Sequence, residues 1–162
     1  MNSRIFATIT LALMGVAVSA GNPESKYNGD GYVFYSVGQE PGGGGVLQQI
    51  GGGGQGFLYK GLAAGAEVGY QYPAESFTYG IGMLSLNGSY HFGRSGKVVP
   101  FVTAGYSLAF RDGHANLWNF GGGVTWWMAR HVGLRVGIRD YVWPSCCSQE
   151  HSPQFMMAVA FR

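Results

Sequence analysis

Val132-Gly133-Leu134-Arg135-Val136-Gly137-Ile138-Arg139 decides the fold class of this chain. Aliphatic side chains take every second position, and only glycine and arginine stand between them. A period of two places the two sets on opposite faces of a β-strand. The same rule orders Ala64, Ala66, Val68, Tyr70 and Tyr72 against Gly65, Glu67, Gly69 and Gln71. It returns with Phe155, Met157, Val159 and Phe161 at the end of the chain. One face is apolar throughout, while the other carries glycine, amide and charge. A strand between lipid and the interior of a closed barrel needs that division.

Working outward, turn-type clusters cut the sequence into about eight such segments, the minimum for a membrane barrel. They fall at residues 32–38, 46–59, 62–72, 77–92, 98–110, 117–128, 131–142 and 154–162. The expected fold is therefore all-β, an eight-stranded antiparallel up-and-down transmembrane barrel over residues 31–162. The segment 77–92 is irregular, because its apolar parity switches near Met83-Leu84. A bulge or an end projecting beyond the membrane would account for that.

Composition agrees. Charged residues are only 11 %, glycine reaches 29 residues and aromatics 15 %. Soluble domains carry roughly 25 % charge. A net charge of +2 is too small to point to nucleic acid. Ahead of the barrel, Asn2-Ser3-Arg4 is a basic start and residues 5–18 are an almost unbroken apolar run. Val18-Ser19-Ala20 then supplies small residues for a signal peptidase. Residues 1–20 read as a cleaved signal peptide and 21–30 as a periplasmic leader. The apolar run is too short for a permanent membrane helix.

Short connections at Lys60-Gly61, 93–97 and Ala129-Arg130 alternate with a Gly-rich loop, a Pro73 loop, 111–115 and a cysteine-containing loop. That alternation places both termini in the periplasm. Aromatic residues gather at strand ends: Phe57, Tyr59, Tyr90, Phe92, Trp126, Trp127 and Phe161 on one side. Tyr70, Tyr72, Phe110, Trp118, Tyr141, Trp143 and Phe155 lie on the other. Two belts at the membrane interfaces are expected of such a barrel.

Asn119-Phe120-Gly121-Gly122-Gly123-Val124, His131-Val132-Gly133-Leu134-Arg135-Val136 and Arg139-Asp140-Tyr141 resemble the final strands of the bacterial outer-membrane β-barrel domain family. Val99-Pro100-Phe101-Val102-Thr103-Ala104-Gly105-Tyr106 is similar to its Pro-aromatic-Val strand. The resemblance implies a small Gram-negative cell-envelope protein with a structural, adhesive or unassigned role. It also implies that Phe161 helps the assembly machinery recognise the last strand; here Arg162 follows it.

The interior face supplies the candidate site. Glu67, Arg135 and Arg139 point inward beside glycines, and Gln55, Asn87, His91 and Asn119 could complete a polar network. An unpaired charge inside would be costly, so carboxylate–guanidinium pairing is expected. A pore lined by arginines is the alternative, but open channels need many more strands. Glu150-His151-Ser152 has residue types used in acyl hydrolysis, yet adjacent loop residues rarely bring nucleophile and base together. Cys146 and Cys147 form a vicinal disulfide, bridge two molecules or stay as thiols; a metal would lack further ligands. Gly42–Gly45 and Gly51–Gly54 lack the Gly-Lys-Ser/Thr ending of a phosphate loop. A periplasmic lipocalin-like carrier would need an apolar interior, the reverse of the charges placed inside. No cofactor is implied. The expected partners are outer-membrane lipid, lipopolysaccharide and the assembly machinery, around a monomer without catalytic activity.

Overall fold

The computed structural model describes residues 27–92, 96–144 and 149–162. The stretch read from sequence as a signal peptide, most of that read as a leader, and Cys146 and Cys147 lie outside the described residues. Eight strands close into one barrel in chain order. They are β1 (Gly29–Gln39), β2 (Val46–Tyr59), β3 (Leu62–Pro73), β4 (Ile81–His91), β5 (Val98–Phe110), β6 (His114–Trp127), β7 (Val132–Pro144) and β8 (Gln149–Phe161). Each pairs antiparallel with its neighbours, and β1 closes on β8 from Gly31↔Phe161 to Gly38↔Gln154. Closure leaves no strand edge without a hydrogen-bonded partner, which is the condition for spanning lipid with strands.

An even number of up-and-down strands puts the start of β1 and the end of β8 at one end, here the terminal end. The other is the loop end. At the terminal end, β2 and β3 meet through Lys60-Gly61, with φ of 40° and 94°. Two positive φ values in a two-residue connection make a type I′ hairpin, where glycine carries the second position without strain. The ladder slips once beside it, between Phe57 and Tyr59.

Four features depart from the sequence reading. First, β1 begins at Gly29, so Gly29 and Asp30, read as leader, belong to the barrel wall. Second, Phe77–Tyr79 is a 3-10 turn, and β4 starts only at Ile81. Third, β4 contains no bulge: its registers with β3 and β5 run without a shift. Ile81 and Met83 simply face inward, into an apolar cluster with Ala109, Ala115, Leu117, Tyr141 and Trp143. Fourth, β6 and β8 start earlier than expected, at His114 and Gln149, so that the loop read over 111–115 is only 111–113.

The two faces separate as the alternation demands. Ile138 is 63 % exposed and Val68 and Leu86 are each 60 % exposed, whereas Arg135 and Glu67 are 3 % and 4 % exposed. The aromatics divide differently from two simple belts. Trp118, Trp126, Tyr90, Phe92 and Phe110 stand on the outer surface. Trp127 and Tyr141 turn inward, packed in separate clusters near opposite ends. Period two allows one of two adjacent tryptophans, Trp126 and Trp127, to face lipid and obliges the other to face the core.

Candidate functional site

The chemistry of this barrel is concentrated in its interior, where two arginines of β7 organise two clusters. Arg139 forks onto Glu67 of β3, Nη2 donating to Oε1 at 2.8 Å and Nη1 to Oε2. The Tyr32 hydroxyl donates to the same carboxylate, and Tyr141 donates to Gln49 Oε1 at 3.2 Å. A bidentate guanidinium–carboxylate pair is the strongest charge-assisted arrangement available to side chains. Room for it comes from Gly53, where a Cβ would stand 2.6 Å from Glu67 Cγ. Gly51 does the same for the Phe34 ring, 2.7 Å from a hypothetical Cβ. The glycine run of β2 is thus a wall made thin so that facing side chains fit.

Arg135 takes a different partner. Its Nη2 donates to Asp30 Oδ1 at 3.0 Å and its Nε to Thr125 Oγ1 at 3.0 Å. The guanidinium also lies 4.4 Å from the Tyr32 ring centroid and 5.1 Å from that of Phe101. Gln55 Nε2 donates to both Asp30 oxygens, at 3.1 and 2.9 Å, and lies 2.9 Å from His91 Nε2. Ser89 donates to Gln55 Oε1 at 2.7 Å. Tyr32 joins the clusters, its ring under Arg135 and its hydroxyl on Glu67.

The seven interior residues read from sequence therefore fall into separate groups. Glu67 meets Arg139, and Gln55 and His91 meet each other beside Asp30 and Arg135. Asn119 belongs to a third set, donating to Ser107 Oγ at 2.9 Å, which pairs with Ser85 Oγ at 2.7 Å. Asn87 points inward on β4 without a protein partner among the described residues. Sequence reasoning missed Asp30, Tyr32, Thr125 and the serines. Extending the dyad of β1 back by two residues, from Phe34 through Tyr32 to Asp30, is the signal that would have found the carboxylate.

Aromatic stacking closes the terminal end. Arg162 lies 4.2 Å from the Trp127 ring centroid and 4.7 Å from that of Tyr27. Tyr27 packs edge-on against Phe57, and Phe57 against His91, which stacks on Phe101 at 5.5 Å. Phe161 lies in the last strand, registered with Gly31 and Val132.

Glu150, His151 and Ser152 do not assemble. Ser152 is fully buried and donates to the Gln39 carbonyl at 2.6 Å. His151 is exposed and sits 2.6 Å from Asp140 Oδ2. Consecutive strand residues point to opposite faces, so Ser152 and His151 cannot act on one substrate atom.

No family model and no curated protein matches this chain. Solved structures do. The N-terminal β-barrel domain of Pseudomonas aeruginosa OprF is 17 % identical with a TM-score of 0.59, covering 83 % of this chain and 98 % of that one. Neisserial surface protein A gives 11 % and 0.63, over 85 % and 97 %. The outer membrane enzyme PagL gives 16 % and 0.55, over 80 % and 97 %. The likeness is one of fold. This chain has the closed eight-stranded barrel of small outer-membrane proteins, a fold shared by an enzyme and by proteins not described as enzymes.

Proposed function

We propose that the chain is an integral outer-membrane barrel with a plugged interior, whose role is structural or lies in surface contacts and is not catalytic. The observation that carries this reading is the inside-out distribution of polarity. Exposed apolar residues run around the barrel, from Val68 on β3 through Leu86, Val102, Phe120 and Ile138 to Met157 on β8. Large exposed apolar patches on soluble monomers mark an interface, and one that encircles a closed barrel fits a bilayer. Inside, by contrast, four charges are buried and paired, Arg135 with Asp30 and Arg139 with Glu67. Outer-membrane lipid and lipopolysaccharide are then the surroundings, both termini face the periplasm, and the last strand carries Phe161 to the assembly machinery.

Paired arginines and an apolar cluster toward each end support a plug over a pore. Cell fractionation with heat-modifiable gel mobility tests the membrane reading: the folded barrel should sediment with outer membranes and migrate faster unheated. Recovery in the soluble periplasmic fraction would defeat it. Planar-bilayer recordings test the plug, and steady single-channel conductance would count against it. For catalysis, a lipid A hydrolysis assay comparing the protein with Ser152→Ala should show no turnover in either.

A further inference from the structure

On one side of the interior, polar atoms lack protein partners in a contiguous belt. Asn87 of β4 is in register with Gly105 of β5, and Gly105 with Asn119 of β6. Gly121, the next inward position on β6, is in register with Arg139 of β7, and Arg139 with Gln154 of β8. Asn119 and Gln154 are each 1 % exposed and Arg139 is 5 % exposed. Within this belt, three donors (Asn87 Nδ2, Arg139 Nε and Gln154 Nε2) and two acceptors (Asn87 Oδ1 and Asn119 Oδ1) have no protein partner among the described residues; the other buried polar atoms without one belong to Gln71, Trp127, Asp140 and Trp143. Each side chain is otherwise anchored or framed. Asn119 holds Ser107, Arg139 holds Glu67, Gln154 accepts from Ser36 at 2.7 Å, and the Asn87 amide lies where a Cβ at Gly105 would stand.

The glycines among these residues matter. A Cβ at Gly121 or Gly123 would stand 2.3 or 2.1 Å from a carbonyl oxygen of β7, so neither position can carry a side chain into the interior without a shift of the wall. That stretch of wall is thin, and the polar groups flank it. We infer that the β4–β8 side of the interior is a binding site for a small cluster of long-lived water molecules, sealed from bulk at both ends. Charge decides the occupant. An anion would meet the Asn119 carbonyl oxygen, held in place because the same amide donates to Ser107, and a cation would meet the guanidinium of Arg139. A molecule that both donates and accepts satisfies the mixed set, and buried water commonly makes two to four such bonds. Apolar clusters seal it: Trp127, Phe101 and Val99 toward the terminal end, Met83, Leu117 and Tyr141 toward the loop end. This rests on the plug reading and deepens it: the plug combines ion pairs with trapped solvent, and Arg139 belongs to both.

The barrel refolded in detergent micelles should give side-chain amide cross-peaks to water at Asn87, Asn119 and Gln154, with NOE and ROE of opposite sign. That pattern marks water held rigidly on the timescale of molecular tumbling. The double variant Asn87→Leu/Asn119→Leu should weaken the Gln154 cross-peak by removing two polar walls of the site. Osmotic shrinkage of proteoliposomes should proceed at the rate of protein-free vesicles. Absence of the wild-type cross-peaks overturns the proposal. So does accelerated shrinkage, which means an open path, or a saturable shift of these resonances on titration with chloride, which means an anion site. The magnetic resonance result is independent of cellular location, so it fails or succeeds separately from the fractionation experiment.

Discussion

Arg135 and Arg139 share one face of β7, are both buried and both meet a carboxylate, yet they are held by different physics. Arg139 is held by a flat fork on Glu67, with two tyrosines around the pair. Arg135 makes one contact to Asp30, one to Thr125, and rests between the faces of Tyr32 and Phe101. The first is specified by hydrogen-bond geometry, and the second partly by ring electrostatics that tolerate displacement. The difference teaches where the barrel is brittle: at Glu67, which serves Arg139 and Tyr32 together.

The largest effect should come from Glu67→Ala. It strands a buried guanidinium, and breaking such a pair costs about 3–5 kcal/mol. Denaturant unfolding of the refolded barrel in micelles reads that directly; unchanged stability would dissolve the contrast between the two arginines. Asp30→Ala should cost less, about 1.5–3 kcal/mol, the range for a hydrogen bond to a charged group. The rings and Thr125 still hold Arg135 there. Asp30 also holds Gln55, so a loss equal to that of Glu67→Ala, not matched by Gln55→Leu alone, would show that the rings contribute nothing.

Arg135→Lys keeps the charge but removes the planar face over Tyr32 and Phe101. About 1 kcal/mol is expected, comparable to a modest cation–π contribution. The same exchange at Arg139 should cost more, because lysine cannot fork onto Glu67. Equal losses in side-by-side unfolding curves would erase the distinction. At the bottom of the scale, Asp112→Ala should leave the unfolding midpoint unchanged. Asp112 is 98 % exposed in its 3.6 Å pair with Arg111, and solvent screens such a contact almost completely.

Legibility followed the same physical divide. The strands, the closed membrane barrel and the inward facing of Glu67, Arg135 and Arg139 were readable, because alternation is local and needs no partner. The Lys60-Gly61 turn was readable for the same reason. Asp30 was not, since an acid beside Asn28, Gly29 and Gly31 looks like a solvated leader. Only the far end of the chain, in Arg135, makes it a buried anion. The parity of β4 misled because Ile81 and Met83 are apolar yet inward, filling the loop end of the core.

By itself, then, the sequence determined which residues share a face of a strand, and on β3, β7 and β8 which face is inward, as a consequence of the two-residue period of a strand. It determined too that the inward charges need counter-charges, because a low-dielectric interior penalises an unpaired ion. Which charges meet was decided only by the closed barrel. Closure and register carry Asp30 to Arg135 and Glu67 to Arg139, contacts spanning 105 and 72 residues of chain. Pairing across the interior depends on strand tilt and stagger, which are properties of the whole ring and are written in no single segment.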